Sequence, residues 1–286
     1  MFRAVFCPRM SWRFSYQVGM AEQAANSLLP AGGAGGLALG AWALRRGGMS
    51  ADHIARRTVA FFILTSLANV GTLIVFGAAF AVGIFGRDGQ PALTLGFAAA
   101  AALAILITLA LPALGSRLGA RKGPPPAGGG RAKQIAHRSL DALTEGVHDG
   151  ESLLRHQPAG VLVGSFGYMG FDIATLGACF LAFGYTPGLG VLVVGYIIGQ
   201  LGGLLPIPGG VGGTEGGLIG TFTLYHVPLA ASATAVLTYR AFQLWLPAVL
   251  GSIAFVQLRR SLREHNDPAA LCQPLADLPA LPRRRG

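Results

Sequence analysis

Between Asp172 and Glu215 lie 42 consecutive residues without a formal charge. Two further uncharged blocks occupy residues 58–86 and 90–116. A helix of about 20 apolar residues crosses a bilayer core, where the backbone must satisfy its own hydrogen bonds. A soluble domain would interleave polar faces with such blocks and bury one core. This chain is only 12% charged, against about 25% in an average soluble protein. It reads as an all-α, multi-pass protein of the cytoplasmic membrane.

The formal net charge of +10 raises the question of nucleic acid, and position answers it. Basic residues gather in the N-terminal segment, around Arg45 to Arg57, along residues 117–155 and after Leu258. Lys and Arg concentrated in particular loops are the positive-inside signature, and they attract anionic lipid head groups. No nucleic-acid partner is expected. The three cysteines (Cys7, Cys179, Cys272) make no CxxC pair and no disulfide framework.

A membrane domain is expected over residues 1–258, followed by a disordered basic cytoplasmic tail at 259–286. Spans fall near residues 58–85, 91–115, 159–183 and 229–258. A basic cytoplasmic connection fills 116–158; Ile135, Leu140, Leu143 and Val147 recur in it at near-helical spacing. That pattern predicts either an amphipathic helix on the membrane surface or a solvated linker helix. Two apolar segments, 11–44 and 189–227, are broken by proline and glycine. Their breaks read LLPAGGAGG and LLPIPGGVGGTEGG. With the basic loops inside, parity makes both segments re-entrant hairpins entering from opposite faces. Each is followed by a long helix, which makes an inverted repeat, and broken helices at corresponding places in two halves point to a transport site.

Arg240 sits deep in the last apolar helix, where a charge costs about 2.5–3.5 kcal/mol on insertion scales. Glu215, at the mouth of the second hairpin's returning helix, is its natural partner, and Asp172 is a second one. A structural ion pair explains such residues as well as a ligand site does. In the functional reading Arg240 offers a fork to a phosphate, while the carboxylates balance charge or hold a cationic head group. The glycines after Pro208 (Gly209, Gly210, Gly212, Gly213) either present free N–H groups at a helix N-terminus or allow close helix packing. Asn26 and Glu22 are polar liners of the first hairpin, and Tyr239 reads as a core or interfacial aromatic. GxGxxG, GxxxxGK[ST] and HExxH are absent, and the six histidines lack ligand spacing. No metal, cofactor or catalytic residue is expected.

The run LLPIPGGVGGTEGG followed by TYRAFQLWLPAVLG resembles the lysylphosphatidylglycerol synthase transmembrane region family, also called flippase-like or UPF0104. Asp172 in GFDIATLGACFLAFG and the upstream NSLLPAGG fit the same pattern. The resemblance implies an integral membrane protein that moves phospholipids or glycolipids between leaflets. It implies Pro208, Gly209, Gly210, Glu215 and Arg240 as motif positions. It also implies one or two spans ahead of the first break, so the chain is expected to be short at its N-terminus. The soluble aminoacyl-transferase domain of full synthases is not expected. Two other functions compete with lipid translocation: a membrane-embedded transferase using lipid-linked donors, and a scaffold whose basic loop docks a lipid-modifying enzyme.

Overall fold

The structure is a computed structural model that describes residues 1–29, 34–85, 91–117, 131–156, 158–204 and 210–264. The helices are α1 (Phe2–Phe6), α2 (Trp12–Leu28), α3 (Ala34–Arg46), α4 (Ala51–Ala81), α5 (Pro91–Arg117), α6 (Arg131–His156), α7 (Pro158–Ala182), α8 (Leu189–Gly199), α9 (Gly213–Leu224) and α10 (Leu229–Glu264). A 3-10 turn, Gln200–Leu204, extends α8, and the described residues contain no strand. Among the described residues, three helices are long and apolar enough to cross a membrane, over Ala51–Ala81, Ala159–Ala182 and Leu229–Arg263.

Local chemistry sets several ends. Ser11 and Ser50 cap α2 and α4, accepting the N–H of Phe14 and His53, which meets one of the donors a helix start leaves unpaired. At 1.5 Å per residue the 36 residues of α10 extend about 54 Å, well past the ~30 Å hydrocarbon core. The helix continues to Glu264, beyond the expected end at 258, and the rest of the expected tail lies outside the described residues.

The apolar core is divided in two. One cluster joins Phe14 and Val18 of α2, Leu44 of α3, Ile54 and Leu64 of α4, Val161 of α7 and Leu258 of α10. The other joins Leu73 and Phe80 of α4, Leu176 and Phe180 of α7, Val194 of α8, Phe222 of α9 and Val236 of α10. The first takes the starts of α4 and α7 and the end of α10, and the second takes the opposite ends. Helices α4 and α7 therefore run the same way and α10 runs back. The pair α2–α3 belongs to one end of the bundle and the pair α8–α9 to the other.

Glycine sets the packing at three seams. Cβ atoms on Gly202 and Gly217 would collide with the backbone carbonyls of Gly213 and Gly199, so the two arms of the second pair touch backbone to backbone. In the first pair, Gly36 and Gly40 of α3 lie directly against the side chains of Asn26 and Glu22. Gly251 of α10 takes the Met20 carbonyl of α2 in the same way. Helix α2 packs along α10, while α8 packs on α4.

Helix α6 is anchored to the bundle. Its second half docks on α4, with ion pairs from Arg56 to Glu145 at 2.9 Å and from Arg57 to Asp149 at 3.4 Å. Gly146 and Gly150 face Val59 and Ala60, a small-residue spacing that lets helices approach closely. The side chains of Ile135, Leu140 and Leu143 lie outside the described ones. A Cβ at Gly146 would stand 2.5 Å from Val59 Cγ1, and such overpacking costs about 1–3 kcal/mol. Exposed ion pairs are worth about 1 kcal/mol or less. Thermal unfolding in detergent is thus expected to show a larger drop for Gly146→Val than for Glu145→Gln. Buried Cys179 is a free thiol.

Candidate functional site

The two breaks bring their polar residues toward the middle of α7 and α10. Glu215 is the third residue of α9, and its carboxylate does two things. One oxygen accepts the Gly212 N–H at 2.6 Å, closing the helix start as an acidic residue in the first turn does. The other accepts from Arg240 Nε at 3.0 Å. This pair is well shielded, with side-chain exposures of 8% and 13%.

The expectation of free N–H groups aimed into a cavity therefore changes at Gly212, whose N–H is taken by the chain's own carboxylate. Gly210 and Gly212 have φ of +65° and +86°, a backbone region glycine enters without steric cost. They turn the chain into α9, and Gly210 lies beside the Arg240 guanidinium. Gly213 packs against Gly202. Pro208 and Gly209 lie outside the described residues.

Gln243, one turn beyond Arg240 on α10, links the charges. Its amide oxygen accepts from Arg240 Nη1 at 2.5 Å, and its amide nitrogen donates to Asp172 at 3.3 Å and to the Tyr239 hydroxyl at 2.6 Å. Asp172 of α7 also accepts from the Tyr196 hydroxyl at 2.6 Å. Gln200 donates to the Tyr239 oxygen at 3.4 Å. Tyr239, expected as a plain aromatic, is fully buried and its hydroxyl belongs to this network. One hydrogen-bonded chain thus runs from Glu215 through Arg240 and Gln243 to Asp172 and Tyr196.

A cavity of about 350 Å³ opens beside this chain. Arg240, Gln243 and Asp172 line it together with Asn26 and Gln23 of α2 and Tyr168 of α7. Asn26 Oδ1 accepts the Gly36 N–H at 2.7 Å, holding α3 to α2 next to the cavity, and Gln23 donates to the Tyr168 hydroxyl at 3.3 Å. Phe242, Leu246 and Pro247 form an apolar border. Glu22 lies apart, between α2 and α3 against Gly40.

Three of the expected residues, Asn26, Asp172 and Arg240, therefore share one cavity, with Glu215 attached through Arg240. Sequence reasoning missed Gln243, Gln23, Tyr168 and Tyr196. Gln243 carried one usable signal: it lies three residues from Arg240, on the same face of the helix. Arg56 and Arg57 lie outside this cavity and pair with α6. Among the described residues no group of three or more His, Cys, Asp or Glu side chains could hold a metal ion.

Long apolar helices around a buried ion pair and a polar cavity define an α-helical integral membrane protein. The chain belongs to the lysylphosphatidylglycerol synthase TM region family, whose model matches residues 7–251. A UPF0104 membrane protein of Methanothermobacter thermautotrophicus is 34% identical over 93 residues, covering 32% of this chain and 26% of that protein. A UPF0104 membrane protein of Methanocaldococcus jannaschii is 31% identical over 93 residues, covering 32% of this chain and 28% of that one. The matched stretch spans about a quarter of each relative's length. No solved structure matches the chain.

Proposed function

We propose that the protein is a lipid translocator that moves a polar or charged lipid between the leaflets of the cytoplasmic membrane. The observation that carries this reading is the cavity beside Arg240, where polar side chains from α2, α7 and α10 meet an apolar border. A lipid needs both: polar partners for a head group in transit, and an apolar side along which its chains stay in the bilayer. Arg240 is the group for a phosphate, because its planar fork matches phosphate oxygens. Asp172 and Glu215 balance that charge, and Asp172 is placed to meet an ammonium on the same head group.

The arrangement of the two broken segments supports alternating access. They belong to opposite ends of the bundle, and each leading arm packs on the long helix that follows the other, α2 on α10 and α8 on α4. We read them as re-entrant hairpins of an inverted repeat around a midplane site, with the basic loops on the cytoplasmic side.

The test is leaflet exchange of fluorescent phospholipids in liposomes carrying the purified full chain. Exchange is expected to exceed that of protein-free liposomes, and Asp172→Asn is expected to reduce it at least tenfold, the worth of about 1.4 kcal/mol, while the protein stays folded. No acceleration, or full acceleration in Asp172→Asn, overturns the reading.

A further inference from the structure

Away from the cavity, the ends of α3 and α10 bring five arginines to one end of the bundle. On α10, Phe255 is followed one turn later by Arg259, whose guanidinium lies 6.0 Å from the Phe255 ring centroid. Arg260 and Arg263 follow, and with Phe255 and Val256 these arginines border a groove of about 220 Å³. On α3, Trp42 packs on the same Phe255 with ring centroids 6.2 Å apart, and Arg45 and Arg46 follow one turn beyond it. Both helices end at this end of the bundle, so the two sets of arginines stand at one level. Basic residues in a last helical turn gain from the helix dipole, but two termini need far less than five charges. Among the described residues none of the five has an ion-pair partner.

The surface leading to these arginines is apolar and exposed. Val249, Ile253 and Val256 are 57%, 53% and 50% exposed. Their spacing of four and three residues continues to Arg260 and Arg263, so one stripe of α10 runs from aliphatic to cationic. Trp42 stands beside the change, as tryptophans do at the head-group level of a bilayer. A soluble anion would use the arginines and leave the stripe uncovered, whereas a phospholipid uses both.

We infer that this stripe binds one anionic phospholipid, its phosphate held by Arg260 and Arg263 and its acyl chain lying along Val249, Ile253 and Val256. The site is separate from the Arg240 cavity and does not depend on what that cavity carries. Native mass spectrometry of the full chain in mild detergent, titrated with phosphatidylglycerol or phosphatidylcholine, tests it. One phosphatidylglycerol is expected to bind tighter than any phosphatidylcholine. Arg260→Gln/Arg263→Gln is expected to weaken it roughly tenfold or more, while Arg9→Gln/Arg13→Gln leaves it in place.

Equal binding of the two lipids overturns the inference, as does equal loss in the Arg9/Arg13 variant. Complete displacement of the lipid by inorganic phosphate also overturns it, since a soluble anion would then suffice. If the double glutamine variant does not fold, Val256→Glu provides the second test. It keeps both arginines, and unchanged phosphatidylglycerol binding there would exclude the acyl stripe.

Discussion

Arg240→Ala is expected to abolish leaflet exchange and to destabilise the protein by about 3–5 kcal/mol, the usual result of removing one partner of a buried ion pair. Glu215 would keep the Gly212 N–H but lose its cation at 13% side-chain exposure. Gln243 would lose the donor to its amide oxygen, leaving an unsatisfied acceptor. Asp172 and Glu215 would then be two carboxylates without the guanidinium that both are linked to. The double variant Arg240→Ala/Glu215→Ala separates the two roles of the pair. It removes both charges, so stability is expected to recover in part, as a double-mutant cycle would register. Exchange is not expected to return. Thermal unfolding and the liposome assay on both variants are the measurements. Full exchange in the stable double variant would leave Arg240 with a structural role alone.

Gly202→Val is expected to have the second largest effect. A Cβ there meets the Gly213 carbonyl and lies 3.2 Å from Gly217 Cα. These are backbone atoms and cannot rotate away. Relief requires α9 to move off the 3-10 turn, and α9 carries Glu215. Overpacking costs about 1–3 kcal/mol, and the same shift draws Glu215 from Arg240, so stability and exchange are expected to fall together. Gly220→Val is the matched control, since nothing stands within 4 Å of a Cβ at Gly220. Equal melting temperatures for the two valine variants would contradict the backbone contact on which the expectation rests.

Part of this architecture is legible in the sequence. The uncharged blocks announce membrane helices because their length matches the bilayer, and a charge as costly as Arg240 points to a partner such as Glu215. Other parts left no such trace. Gln243 is an uncharged amide in an apolar helix, and nothing in its cost singles it out. Tyr239 differs from an ordinary core aromatic only through its hydroxyl, whose partners come from α8's extension and from the next turn of α10. The seam of α2 on α10 includes one glycine, Gly251, meeting a carbonyl more than two hundred residues earlier in the chain. The docking of α6 on α4 hides in a Gly146–Gly150 spacing inside a segment whose overall character is polar.

The two apolar clusters share α4, α7 and α10 as struts but have no side chain in common. Close packing is therefore lodged toward the two ends of the molecule, and the Arg240–Gln243–Asp172 hydrogen bonds form a waist beside the second cluster, into which the Tyr196 and Tyr239 rings also pack. Such a waist can admit a guest of its own polarity without prising apart a close-packed interior. In the proposed translocator, that division would let each end keep its own packing while a head group passes between them.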